Sequence, residues 1–112
     1  KQFGRLIGEF QALQHRAAHL YSELEVARAA VMKAQQLLDD GQRAAELYVS
    51  VAKAKAGRAA NLAVREGVQM HGGIGMTDEF DIGLFMKRDR ALAEYMGDIY
   101  YPTDRVARLN GY

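Results

Sequence analysis

The chain has 112 residues, which is enough for one domain with a modest core and too few for two domains. It contains no cysteine, so disulfides and thiolate metal sites are excluded. The 15 basic and 14 acidic residues are interspersed, with a formal net charge of +1, and we expect neither a nucleic-acid surface nor a membrane surface. No segment approaches the roughly 20 apolar residues that cross a bilayer, so no membrane span is predicted.

The first third of the chain has apolar residues at alternating steps of three and four. They are Leu6, Phe10, Leu13, Ala17, Leu20, Leu24, Ala27, Val31, Ala34 and Leu38. This spacing predicts one long amphipathic helix from about Arg5 to Leu38. Gly41 follows the last periodic residue and is the expected stop. The turn after it is short, so the next helix should run antiparallel to the first.

A second long helix is predicted from about Arg43 to Met70. One stripe of mostly small side chains runs along it, at Ala45, Val49, Ala52, Ala56, Ala59 and Ala63. Such small side chains let another helix backbone approach closely, and alanine also has the highest helix propensity. Gly72 and Gly73 should end this helix.

Two shorter helices complete the predicted fold. The third should span about Ile82 to Tyr95, capped by an oxygen of the segment 77–79 or of Asp81. The fourth should run from Pro102 or Thr103 to Leu109. No strand alternation occurs, so we predict an all-α, antiparallel four-helix bundle with two long and two shorter helices.

The length of the first helix predicts association. About 34 helical residues extend for about 50 Å, whereas a compact domain of this size has a radius of gyration of about 13 Å. The two short helices cannot cover both long ones, so apolar stripes should stay open. We therefore expect contact with other copies of the chain or with further protein.

The segment from Gln69 to Phe80, with its glycines Gly72, Gly73 and Gly75 between two helices, resembles the C-terminal helical domain of the flavin-dependent acyl-CoA dehydrogenases. The similarity extends from Phe3 to about Arg108. It implies that residues 1–112 form this domain, without the N-terminal and middle domains and without the first helix of the bundle. It also implies a parent enzyme that uses FAD to oxidise an acyl-CoA thioester to the trans-2-enoyl-CoA.

The resemblance implies roles for five residues at the cofactor. Phe3 and Gln11 would contact the FAD of a neighbouring subunit, and Gln69 and Gly73 would approach its adenosine-diphosphate part across the interface. Gly72 would shape the turn beside them. The alternative is that the glycine pair is only a helix cap, which is the commoner role of such a pair. The family's arginine three positions before the phenylalanine falls before Lys1, so its contact with the diphosphate is missing from these residues.

Tyr95 and Gly97 match the family's substrate-side segment, but Met96 occupies the position where many members carry the catalytic glutamate. Methionine cannot accept a proton, so no catalytic residue is assigned. Glu94 and Asp98 are two positions away and, on a helix, would point to the opposite side. Two explanations stay open: the glutamate lies on an earlier helix, or a partner subunit supplies the working site.

The three histidines are not assigned to chemistry. His71 falls in the last turn of the second helix, where it can interact with exposed carbonyls. His15 and His19 are one turn apart and lack a third ligand nearby, so no metal site is predicted.

The resemblance therefore favours a C-terminal domain that contacts FAD and mediates oligomerisation in an acyl-CoA dehydrogenase. The expected partners are acyl-CoA through the complete enzyme, and other subunits in a homodimer, a homotetramer or a hetero-oligomer with a glutamate-bearing subunit. The alternative is a non-catalytic subunit or a purely structural helical assembly module. The expected location is cytoplasmic, with a mitochondrial parent as the alternative.

Overall fold

The computed structural model describes residues 1–112, which form four α-helices and no β-strand. The helices are α1 (Gln11–Asp39), α2 (Ala45–His71), α3 (Ile82–Glu94) and α4 (Tyr100–Leu109). Short 3₁₀ turns lie at Ile7–Glu9 and Gly72–Met76. The predicted all-α bundle with two long and two shorter helices is confirmed. No helix combines the length and the apolar character that a membrane crossing needs.

The turn between α1 and α2 follows the predicted glycine stop. The amide of Gln42 donates to the Leu37 carbonyl at 2.9 Å, and the amide of Gly41 donates to the Leu38 carbonyl at 3.1 Å. This pair of hydrogen bonds, with Gly41 at φ 63°, is the Schellman arrangement that closes a helix C-terminus. The chain then reverses, so the two long helices pack as an antiparallel hairpin.

The residues before α1 do not extend the helix back to Arg5, as the apolar spacing predicted. Gln2 and Arg5 exchange two backbone hydrogen bonds of 2.9 and 3.0 Å around Phe3 and Gly4. The φ angles of these two central residues are 52° and 74°, which is typical of a type I′ turn. Because this turn and the following 3₁₀ turn are not α-helical, α1 begins at Gln11.

The packing between α1 and α2 uses small side chains. Its buried apolar residues are Ala27, Ala34 and Leu37 of α1 with Ala45, Ala52 and Ala59 of α2. The alanine seam predicted on α2 is thus confirmed at three positions. On α1 the predicted stripe divides into two rows, and the row that contains Leu24, Val31 and Leu38 stays exposed. A single neighbouring helix can cover only one of these rows, which explains the difference.

Few residues of the chain are buried from solvent. Nine of its 112 residues are buried and no large side chain is fully buried. The radius of gyration is 17.1 Å and the principal extents are 56 × 27 × 27 Å, compared with a radius of about 13 Å for a compact domain of this size. The prediction of open apolar stripes is confirmed.

The two short helices pack on α2, and neither contacts α1. At the start of α3, the Ile82 side chain lies against Gly67, where an added Cβ would be 2.8 Å from Ile82 Cδ1. Asp81, one of the predicted caps, holds the N-cap position of α3, but no side chain makes a capping hydrogen bond to this helix. Thr77 Oγ1 instead donates to the Ile74 carbonyl at 2.7 Å and closes the preceding 3₁₀ turn.

Helix α4 begins at Tyr100, two residues earlier than predicted. The Asp98 carboxylate accepts hydrogen bonds from the amides of Tyr100 and Tyr101, both at 3.1 Å. A carboxylate in this position satisfies two amides that have no partner within the helix and complements the positive end of its dipole. The cap is therefore Asp98, and Pro102 falls inside the first turn.

Candidate functional site

The predicted site residues form two groups at opposite ends of α2. Phe3, Gln11, Gln69, Gly72 and Gly73 lie at one end, which we call the glycine end. The second group lies in the segment 95–97 between α3 and α4, which we call the Met96 turn, beside the first turns of α2.

The distance between the two groups follows from the helix itself. Glu46, beside the Met96 turn, and Gln69, at the glycine end, are 23 residues apart, which is about 35 Å of helix at the usual rise per residue. The two groups are therefore separate sites on the domain.

An ion pair holds the two long helices together at the glycine end. Arg16 Nε of α1 lies 2.6 Å from Glu66 Oε2 of α2, and only 16% of the Glu66 side chain is exposed. The oxygen is shielded from solvent and makes no other polar contact. This pair fixes the first turns of α1 against the last turns of α2, so Gln11 and Gln69 lie at the same end.

The three glycines at this end differ in what the fold requires of them. Gly72 ends α2 with φ 70° and ψ −153°, a conformation open essentially to glycine alone. An added Cβ at Gly75 would lie 2.8 Å from His71 Cβ and 3.0 Å from the Val68 carbonyl oxygen. Gly73 has no positive φ and no atom within 4 Å of an added Cβ. The fold thus explains two glycines and leaves Gly73 with an open space in front of its backbone.

Phe3 and Gln11 are both displayed to the outside. Phe3 is 91% exposed, and its ring meets Phe10 edge to face, with 6.4 Å between the ring centroids. A positive φ on a non-glycine residue costs about 1–2 kcal/mol. Gln11 is exposed at the first position of α1. An exposed aromatic side chain held in a strained turn contributes little to this fold.

His71 is occupied by local structural contacts. Its Nδ1 lies 2.7 Å from the Gly67 carbonyl oxygen, and its ring packs against Phe80 at a tilt of 59°, with 5.4 Å between centroids. These contacts agree with a role at the helix terminus. No group of three histidine or acidic side chains lies close enough to hold a metal ion.

The Met96 turn corrects one sequence-based expectation. The expectation that Glu94 and Asp98 point to the opposite side from Met96 assumes helical geometry, but α3 ends at Glu94, and Met96 and Gly97 have φ angles of 63° and 103°. The two neighbouring carboxylates are engaged elsewhere, since Glu94 lies 3.7 Å from an Arg90 nitrogen and Asp98 caps α4. Neither carboxylate lines the groove that contains Met96.

That groove, of about 690 Å³, lies between α2 and α4. Its lining residues are Glu46, Val49, Ser50, Lys53, Met96, Gly97, Tyr101, Pro102 and Arg105. Tyr95 lies in a different groove, between α2 and α3, beside Phe85 and Leu92. Met96 and Gly97 therefore line one groove, and the neighbouring Tyr95 lines another.

Two polar contacts beside the Met96 turn were not found from the sequence. Arg105 donates to Glu46 Oε1 at 2.5 Å and to the Tyr101 hydroxyl at 2.8 Å. The hydrogen bond to Glu46 is the largest cause of a raised pKa of Arg105, and the hydrogen bond to Tyr101 raises this pKa further. Lys53 Nζ donates to the Leu92 carbonyl at 2.8 Å. Glu46 and Lys53 share one face of α2, but their partners are 59 and 39 residues away in sequence, so spacing alone could not pair them.

Comparison with known proteins identifies the family. The family model described as "Acyl-CoA dehydrogenase, C-terminal domain" matches residues 1–109. The acyl-CoA dehydrogenase IpdE2 of Mycolicibacterium smegmatis is 39% identical over 108 residues, which cover 96% of this chain and 32% of that protein. The mitochondrial short/branched chain specific acyl-CoA dehydrogenase of Bos taurus is 32% identical, covering 95% of this chain and 23% of that protein.

Solved structures agree with this match. An Acidaminococcus fermentans chain from a structure of its electron transferring flavoprotein superposes with a TM-score of 0.91 at 30% identity, covering 99% of this chain and 29% of that chain. A chain from the FAD complex of PigA superposes with a TM-score of 0.90 at 25% identity, with the same coverage. The chain belongs to the acyl-CoA dehydrogenase family, as its C-terminal domain. It spans a third or less of the length of these relatives.

Proposed function

We propose that this chain is the C-terminal domain that contacts FAD and mediates oligomerisation in a flavin-dependent acyl-CoA dehydrogenase. The parent enzyme would oxidise an acyl-CoA thioester to the trans-2-enoyl-CoA. The observation that carries the proposal is that Gly73, with open space before its backbone, lies beside the exposed Gln69 at the end of α2. A backbone without a side chain can come close to a phosphate or ribose, and the exposed amide of Gln69 can donate and accept beside it.

The separation of the two sites supports an oligomer. An extended FAD molecule is shorter than the roughly 35 Å of helix between them, so one flavin cannot reach both ends of one chain. We infer that Phe3, Gln11, Gln69 and Gly73 meet the flavin of a neighbouring subunit, while Gly72 shapes their turn. The Met96 turn, which includes Tyr95 and Gly97, would then lie at the substrate side of a different active site. A dimer or a tetramer would satisfy this arrangement.

The shape of the apolar surface supports the assignment of domains. Ala56 and Ala60 of α2 line two neighbouring grooves. Tyr21, Leu24 and Val31 of α1 form the wall of one groove. Phe85 and Leu92 of α3, with Tyr95 just after it, form the wall of the other. Because α1 and α3 do not touch, the two grooves make one three-sided trough with α2 as its floor. We assign this trough to the first helix of the family's bundle, which would precede residues 1–112 together with the N-terminal and middle domains.

Met96 favours a second candidate function within the same family. The chain has no proton acceptor at this position, so it could be a non-catalytic subunit whose partner carries the glutamate. The other source of the base is an upstream helix of the same parent. In either case we expect these 112 residues alone to give no turnover of acyl-CoA. A purely structural assembly module would account for the long helices but explains the segment from Gln69 to Gly75 poorly.

Titration of FAD into the purified chain, followed by flavin fluorescence, tests the cofactor role. We expect saturable binding that weakens at least tenfold in Gly73→Ala, because the new methyl group occupies the space in front of the backbone. Gln69→Ala should weaken it in the same direction. The matched control is Gly83→Ala, which also adds a methyl group into open space but lies on α3.

Two results would count against the cofactor role. Equal affinity in Gly73→Ala and the unchanged chain would remove the observation on which it rests. Absence of any saturable binding by the unchanged chain would favour the assembly module. The free energy of unfolding of Gly73→Ala, measured in parallel, should match that of the unchanged chain, since the fold does not use this position.

A further inference from the structure

Two side chains in the N-terminal part of α2 bind to two different helices. Glu46 binds Arg105 of α4, and Lys53 binds the Leu92 carbonyl in the last turn of α3. Residues seven apart on a helix lie on the same face, about 10 Å from one another. These two contacts therefore connect one face of α2 to both helices that flank the Met96 turn.

The contacts lie on either side of the turn in sequence. Leu92 precedes it, and its carbonyl is one of the last four of α3, which lack partners within the helix. A lysine ammonium that binds such a carbonyl also complements the negative end of the helix dipole. Arg105 follows the turn, so residues 93–104 are the segment between the two attachment points.

A third contact connects Arg105 to the turn through Tyr101. Arg105 donates to the Tyr101 hydroxyl at 2.8 Å, and the Tyr101 ring lies directly over Gly97. A Cβ added to Gly97 would be 2.7 Å from Tyr101 Cδ1. Glu46, Arg105, Tyr101 and Gly97 thus form a continuous series of contacts from α2 to the residue next to Met96.

The backbone of the turn needs such support. Met96 has φ 63°, a conformation that a residue with a Cβ adopts only where its surroundings impose it. Inside the turn, the backbone hydrogen bond from the Gly97 amide to the Glu94 carbonyl is long, at 3.3 Å. The support therefore comes from outside the turn.

We propose that Glu46 and Lys53 are positioning residues for the Met96 turn. They hold its two ends at fixed points on α2 and so keep Met96 in its left-handed conformation at the α2–α4 groove. The consequence for the reaction rests on the proposed function, because it assumes that this groove faces the acyl thioester. The conformational role itself does not depend on flavin or substrate.

The global stability of the domain should depend little on these contacts. The Arg105 and Glu46 side chains are 42% and 52% exposed, and exposed ion pairs contribute little to folding. The local conformation of the turn should depend on them strongly. This difference separates a positioning role from a merely structural one.

The test is NMR of the 112-residue chain carrying Lys53→Met or Glu46→Gln, which remove the ammonium donor or the negative charge with little change of shape. We expect the Gly97 amide to exchange with solvent at least tenfold faster and the backbone carbon shifts of Met96 to move away from left-handed values. Amides in the middle of α1 should change less than twofold. Lys55→Met is the matched control, since Lys55 lies on the same helix and makes no hydrogen bond or ion pair.

Exchanging the charges of Glu46 and Arg105 tests whether the lost protection of the Gly97 amide can be restored. The double variant Glu46→Arg with Arg105→Glu should recover most of the Gly97 protection that either single change removes. Unchanged Gly97 exchange and unchanged Met96 shifts in both Lys53→Met and Glu46→Gln would overturn the proposal. An equal rise of exchange throughout α1 would also overturn it, because the two residues would then act only on global stability. Since no flavin is present, this result is independent of the FAD titration.

Discussion

The Gly97→Ala variant is expected to lose about 2–4 kcal/mol of its free energy of unfolding, measured by urea denaturation followed by circular dichroism. Two separate effects contribute. The backbone at Gly97 has φ 103°, which strains any residue with a Cβ, and the added Cβ would lie 2.7, 2.9 and 3.0 Å from three atoms of Tyr101. Because the chain buries only nine residues, a loss of this size is a large part of its stability.

A matched alanine substitution in α2 should have the opposite sign. Gly57 lies inside α2, has no positive φ, and has no atom within 4 Å of an added Cβ. Gly57→Ala should therefore raise the free energy of unfolding by about 0.5–1 kcal/mol, through helix propensity alone. The double variant Gly97→Ala with Tyr101→Ala removes the steric conflict but keeps the backbone strain, and should recover part of the loss. A Gly97→Ala protein as stable as the unchanged chain would contradict the close packing of Tyr101 on the turn.

The second large expected effect concerns self-association. The unchanged 112-residue chain should sediment as a dimer or a larger species at micromolar concentration and should bind a hydrophobic dye. The trough leaves Leu24 and Val31 exposed along α1, and the chain has no helix of its own to cover them. Leu24→Glu combined with Val31→Glu should weaken association at least a hundredfold, since two carboxylates would be taken out of water without partners, at a cost of about 3 kcal/mol or more.

A control on the same helix distinguishes the trough from general surface charge. Val26 is also exposed on α1 but does not line the trough. Val26→Glu should leave the sedimentation of the chain unchanged. A monodisperse monomer that binds no dye would show that the apolar rows need no partner. Loss of association in Val26→Glu alone would place the contact on another face of α1.

The open trough also limits the core of the domain. Its buried apolar side chains are five alanines, one leucine and Pro102, so the core within these residues is thin. A helix laid over Ala56 and Ala60 would bury the two exposed rows on either side and thicken this core. Oligomerisation, or a further helix laid in the trough, would thus supply stability that the described residues do not provide.

Local sequence signals predicted the elements well because each depends on nearby residues. Alternating apolar steps defined the long helices, and the stop at Gly41 was confirmed by its two hydrogen bonds. The same local logic failed at the start of α1, where Leu6 and Phe10 continued the pattern although the turn at Phe3 and Gly4 interrupts the helix. The end of α3 was predicted within one residue, but the helical geometry assumed around Met96 for Glu94 and Asp98 was wrong, because the chain turns there.

Other features required the tertiary structure because they depend on distant residues. The sequence shows the glycines of the 72–75 loop, but only the packed chain shows that Gly72 and Gly75 serve the fold while Gly73 faces open space. Likewise, the residues lining each groove belong to different helices. Sequence patterns report the preferences of single segments, whereas a site is a set of distances between segments. The sequence alone therefore determined the helices and the family resemblance, and the packing of the helices decided where each predicted site residue lies.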